Sequence, residues 1–201
     1  MTVIIKKMRG NAWVGVANDW LREKVLQYDA LSLYLPAGET PTKLYADWNR
    51  SPPSVLERLT LYQLDDIAEG SGKGRFASEF EKKLPRRLIH PPTADIQADL
   101  VILGYSGLNG HVAFHEPGIP DTFRFGEVKL RPESAHSLGL QAGTKAITFG
   151  LGALLATKAA LLIGIGKEKR KVLDQALAGD TSLPVTALLQ KHSDLTVLSV
   201  R

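Results

Sequence analysis

Apolar residues in this chain come in short branched runs, separated by stretches in which apolar and polar positions alternate with a helical period. Runs of strand length fall at residues 3–5, 31–35, 59–64, 99–104, 146–150, 160–165 and 195–200. Each is bounded by Gly, Pro, Asp, Asn or a charged residue, as strands are. Between them, residues 12–28 place Trp13, Val16, Trp20, Val25 and Leu26 as candidate core positions of a helix that Asn11 can cap. Further helices are predicted over residues 41–49, with Thr40 as cap and Pro41 in its first turn, and over 76–84, 151–157, 169–178 and 183–190. Gly179 is placed to stop the helix over 169–178. Residues 118–140 are the least periodic part, with a short strand at 128–130.

Strands that alternate with helices predict an α/β fold: a mainly parallel sheet with helices on both faces, Rossmann-like, in one domain of residues 1–201. No internal repeat and no linker composition interrupts it. The 201 residues suffice for one sizeable core. Composition narrows the function classes. The chain has no cysteine, which excludes disulfides, a thiol nucleophile and a Cys-ligated zinc. No apolar run reaches the roughly 18 residues of a membrane span. Residues 1–10 are too short and too charged for a signal peptide, so a cytoplasmic location without a membrane partner is expected. The formal charge is +4. Its lysines and arginines are scattered, apart from 167–171 and Arg86-Arg87, which is thinner than a nucleic-acid surface and suits a small anion.

Four segments carry candidate chemistry, and each follows a predicted strand. Gly38-Glu39-Thr40-Pro41 opens a helix, where free backbone N–H groups favour an anion; the same turn could simply connect two elements. Asp65-Asp66 ends an apolar strand, either as a general base with a neighbouring carboxylate or as a turn and cap pair. Residues 99–118 are an apolar strand, then a glycine-rich turn with Gly107, Asn109 and Gly110, then His111 and Glu116. An imidazole oriented by a carboxylate is suited to proton transfer near neutral pH, and a structural His in a turn is the alternative. Residues 164–169 add a glycine turn with Lys167 and Lys169, without the third Gly of a dinucleotide fingerprint. The histidines lack a metal-ligand spacing. Strand ends of a parallel sheet share one edge, so these four signals converge on one place.

In residues 104–118, GYSGLNGHVAFHEPG resembles the signature GGIGxDGHIAFNEPG of the glucosamine-6-phosphate deaminase/isomerase family, which is related to 6-phosphogluconolactonase. Residues 62–66 are similar to its FNMDE strand end, 37–41 to its TGxTP phosphate loop, 146–152 to its ALTxGxG segment, and 160–169 to its strand and lysine-bearing turn. The continuation AFHEP separates the chain from the lactonase pattern, which reads SLFP there.

The resemblance implies an amino-sugar-phosphate isomerase/deaminase that uses neither cofactor nor metal. In that scheme His111 opens the sugar ring, Glu116 orients His111, Asn109 completes the ring-opening group, and Asp65 moves a proton between C2 and C1. Gly38, Glu39, Thr40, Asp66, Gly107 and Lys169 form the substrate site. A lactonase-like hydrolase and a catalytically reduced sugar-phosphate-binding module are the alternatives, and homo-oligomerisation is left open. Three departures accompany the match: Asn109 where an Asp is usual, the carboxylate of Glu39 in the anion loop, and no clear phosphate arginine, with Arg131 the candidate.

Overall fold

The computed structural model describes residues 2–201. In chain order the elements are β1 (Thr2–Met8), α1 (Ala12–Tyr28), β2 (Ser32–Leu35), α2 (Thr42–Arg50), a 3-10 segment Ser54–Arg58, β3 (Thr60–Gln63), β4 (Asp65–Ile67), a 3-10 turn Gly70–Gly72, α3 (Arg75–Lys83), β5 (Ile89–His90), β6 (Leu100–Gly104), β7 (Phe125–Lys129), α4 (Pro132–Ser137), β8 (Lys145–Phe149), α5 (Leu151–Leu154), β9 (Ala159–Ile165), α6 (Lys167–Leu177), α7 (Pro184–Lys191) and β10 (Asp194–Val200).

Seven strands form one parallel sheet in the order β1-β10-β9-β6-β2-β3-β5. Its central strands are apolar on both faces because helices cover both. Alternate residues go to opposite sides, as a period of two requires. Leu33, Leu35, Leu100, Ile102, Leu161 and Ile163 pack with Trp13, Leu21, Leu44, Trp48 and Phe80 of α1, α2 and α3. Tyr34, Val101, Leu103, Ala160 and Leu162 pack with Val172, Leu173, Val185 and Leu188 of α6 and α7.

The fold is of the predicted class, with local corrections. The run at 59–64 does not continue into one strand: β3 stops at Gln63 and Asp65 starts β4 in a second, antiparallel sheet ordered β4-β8-β7. Leu64 links the two sheets, donating its N–H to Leu35 O at 3.0 Å and accepting from Phe149 N at 3.0 Å. The strand predicted at 146–150 is β8 of this small sheet. Leu26 is 68% exposed rather than in the core, because it lies on the outer face of α1. Asn11 and Thr40 do not cap helices with their side chains; each receives a lysine instead, from Lys43 at 2.7 Å and Lys169 at 2.7 Å. Two elements carry no sequence signal, β5 because it is two residues long and α4 because six residues are too few to show a period.

Candidate active site

From β2 the chain steps outward to β3 and β5, returns to β6 beside β2, and steps outward the other way to β9 and β10. The reversal lies between β2 and β6, and the crevice at the carboxyl ends of such strands is where open α/β sheets bind ligands. The loops after β2, β3, β6 and β9 meet there around a cavity of about 310 Å³. That volume falls within the range of small-molecule clefts. Gly38, Glu39, Thr40, Asp65, His111 and Lys169 line it, together with Tyr105, Ser106, Ser134, Phe76 and Phe114. Four segments far apart in sequence thus supply one site.

The approach of β2's loop to β6 depends on Gly104. A Cβ there would stand 2.9 Å from Thr40 Oγ1, so any other residue would push Thr40 away. Thr40 Oγ1 accepts from Lys169 Nζ at 2.7 Å. Burial pulls the Lys169 ammonium down to about 8, and no carboxylate lies within ion-pair distance of it among the described residues. Asp65 is buried, and burial together with the charge of Asp66 pushes its carboxyl up to about 8. The cavity therefore holds a carboxyl and an ammonium that both change charge near neutral pH.

His111 is backed by two groups. Its Nδ1 lies 3.5 Å from Glu116 Oε2 and 3.3 Å from Ser134 Oγ. Glu116 is buried. Burial pushes its carboxyl up, but the contacts from His111, Ser134 and Asn109 outweigh that and hold it below the usual range. Holding Nδ1 in this way directs the other ring nitrogen away from Glu116. Asn109 sits behind this pair: its amide donates to Glu116 Oε2 at 3.1 Å and to Glu133 Oε1 at 3.2 Å.

Curated proteins resemble the chain over most of its length. The chain is 29% identical over 215 residues to a glucosamine-6-phosphate deaminase of Bacillus velezensis, covering 89% of this chain and 88% of that protein. It is 29% identical over 206 residues to a glucosamine-6-phosphate deaminase of Lactobacillus acidophilus, covering 88% and 85%. Over most of its length the chain is thus similar to glucosamine-6-phosphate deaminases. No family model matches it. Among solved structures, a monomeric glucosamine-6-phosphate deaminase superposes with TM-score 0.74 at 22% identity, covering 98% of this chain and 97% of that one. A 6-phosphogluconolactonase from Thermotoga maritima gives TM-score 0.74 at 20% identity, covering 99% of both. The two structural likenesses show the fold that the chain shares with both kinds of protein.

Not all residues expected at the site face the cavity. Asn109 and Glu116 stand behind His111. Gly107 packs its backbone against α6, where a Cβ would meet Glu168 at 3.0 Å. Asp66 turns away from the cavity and supports the fold. Its carboxylate accepts from Ile67 N, Phe76 N, Ala77 N and Gln63 Nε2 at 2.7–3.1 Å, which caps α3. Asp66 as a substrate-binding group is thereby corrected, because its acceptor sites are filled by these backbone and amide donors. Glu39 is reached by a lysine that sequence reasoning missed. Lys83 Nζ lies 3.4 Å from Glu39 Oε1 and donates to Ala37 O at 2.8 Å and Gly38 O at 3.2 Å, while the Glu39 side chain is 89% exposed. Arg131 pairs with Glu133 at 3.7 Å and lines a separate cleft with Glu116 and Glu127. No group of three potential metal ligands occurs among the described residues.

Proposed function

We propose that this site opens the ring of a hexosamine 6-phosphate and converts it to a ketohexose 6-phosphate with loss of ammonia. Lys169, Thr40 and the backbone of Gly38 take the phosphate at the end of β2 and the start of α6. His111, oriented by Glu116, passes a proton to the ring oxygen as the ring opens. Asp65 takes the C2 proton and returns it to C1. The C2 carbon is left as an imine; water adds there and the nitrogen leaves as ammonia.

The observation that carries this reading is the pairing of proton carriers across one cavity. An oriented imidazole lines it together with a buried carboxyl held near 8, where a base is strong yet still ionised in useful amount. The deaminase names of the curated relatives support the same chemistry. A sugar-phosphate lactonase is the second reading, favoured by the shared fold of the Thermotoga maritima protein. Lactone hydrolysis needs His111 to activate water but leaves the C2 proton in place and gives Asp65 none to move, so Asp65 separates the two.

The test is ammonia release from glucosamine and galactosamine 6-phosphates, with 6-phosphogluconolactone in the same panel. Release is expected, and Asp65→Asn or His111→Gln should lower it by about 10²–10⁴-fold, the usual range of a lost general acid or base. Lactone hydrolysis that survives Asp65→Asn would replace the deaminase reading with the lactonase. Thermal stabilisation by the phosphosugars without turnover of any of them would leave a binding module.

A further inference from the structure

Lys169 is the cation of the proposed phosphate subsite, and no carboxylate pairs with it among the described residues. A hydroxyl, Thr40 Oγ1, accepts from its Nζ at 2.7 Å. The face of an aromatic ring, Tyr105, lies beneath it with 5.7 Å from Nζ to the ring centroid. The same Tyr105 donates its hydroxyl to the backbone carbonyl of Lys169 at 2.9 Å, so one side chain holds both ends of the lysine. Tyr105 is 3% exposed, and burial raises its phenol well above the ordinary value, so it remains a neutral donor.

This arrangement depends on a second residue, in β9. Tyr105 follows β6 and crosses the neighbouring strand at Gly164, where a Cβ would stand 2.1 Å from the phenol oxygen and 2.7 Å from Cζ. A side chain at 164 would lift the ring off β9 and away from the carbonyl it bonds. Gly164 is therefore the seat of the Tyr105 ring, and the two are a matched pair.

We propose that Tyr105, seated on Gly164, is the positioning residue that sets Lys169 for an anionic substrate group. The inference rests on the reading of Lys169 as the phosphate cation. Its logic is electrostatic. A carboxylate could hold the ammonium in place equally well, but it would neutralise the charge an anion needs. A ring face attracts the cation through its quadrupole and adds no net charge, so the positive potential stays available to the ligand.

The experiment is a double-mutant cycle on the full chain, read by calorimetric binding of inorganic phosphate at pH 7 and by steady-state kinetics on glucosamine 6-phosphate. Tyr105→Leu should weaken phosphate about ten-fold, the scale of a desolvated cation–π contact. Tyr105→Phe keeps the ring and loses only the bond to the Lys169 carbonyl, so about three-fold is expected. Both losses should disappear in a Lys169→Ala background, while any drop in melting temperature from Tyr105→Leu persists there. In kinetics the change should fall on KM with kcat held, the sign of binding that does not alter through the reaction. Gly164→Ala should copy Tyr105→Leu. Equal losses with and without Lys169, or no loss, would overturn the role of Tyr105. Should Tyr105→Leu fail to fold, Tyr105→Phe completes the cycle. Failure of phosphate to bind the unaltered protein would instead remove the phosphate reading of Lys169, and this proposal with it. Phosphate binding that needs Lys169 but ignores Tyr105 would remove only this proposal.

Discussion

Asp65 is buried and Lys169 half-buried on the same cavity, and loss of solvent drives them in opposite senses, the acid up and the base down, to the same value of about 8. The proposed reaction needs Asp65 ionised and Lys169 charged in the free site. Ionised Asp65 grows as pH rises toward 8; charged Lys169 declines as pH passes it. The expected kcat/KM profile is therefore a narrow bell with its maximum near 8. A flat plateau from pH 6 to 9 would contradict it. Asn109 poses a second question at this scale. Its amide donates to two carboxylates, Glu116 and Glu133, so an Asp at this position would face two like charges and offer no donor. Asn109→Asp is expected to destabilise the protein by about 1–3 kcal/mol, the scale of a lost buried hydrogen bond. Adding Glu133→Gln should recover part of that, measured by thermal or urea unfolding. Asn109 was visible in the sequence; Glu133 was not, because it lies on α4 in the segment without a period.

The strand ends were legible as elements because an apolar run that stops at Gly, Asp or Pro marks them, and a parallel sheet brings such ends to one edge. Asp65, His111 and Lys169 were found that way. The contacts that tune them were not, since Ser134, Lys83 and Tyr105 become neighbours only through packing. Asp66 shows the limit within one dipeptide. Local sequence left base and cap open, and the fold decides, because α3 begins at Gly74, which has no side chain to cap with. Asp66 serves from across the chain, accepting from Phe76 N and Ala77 N. Asp66→Ala should cost about 1–2 kcal/mol, as lost caps do, read by chemical unfolding. It should also loosen two parts of the site that α3 carries, Phe76 in the cavity wall and Lys83 on the loop at 36–41. Asp66→Asn removes the charge that helps raise Asp65, so the acid limb of the rate profile should move to lower pH.

Across the whole molecule, the proposed reaction and stability should favour different pH. In the folded chain Asp65 keeps its proton up to about 8, against 3.8 for an ordinary aspartate. The folded state therefore binds more protons between those values, and stability falls as pH rises through them. His115 and His192 are buried, and burial holds both below 6.5, so the unfolded chain binds more protons on the acid side and stability falls as pH drops below 6.5. Stability should peak at about pH 6, on the acid side of the activity maximum. Asp65→Asn should remove the alkaline decline and raise the melting temperature at pH 8 while lowering turnover by about 10²–10⁴-fold. The same topology has a consequence for how the chain is made. β1 has one strand neighbour among the described residues, β10, with Thr2 opposite Asp194 and Met8 opposite Val200. On a ribosome β1 emerges before β10 and must wait for it, since the rest of the parallel sheet lies between the two in sequence and such distant pairings close slowly. During that wait β1 is an unpaired strand with two adjacent isoleucines, and Lys6 and Lys7 beside them act as guards, making its attachment to the edge of another nascent sheet unfavourable.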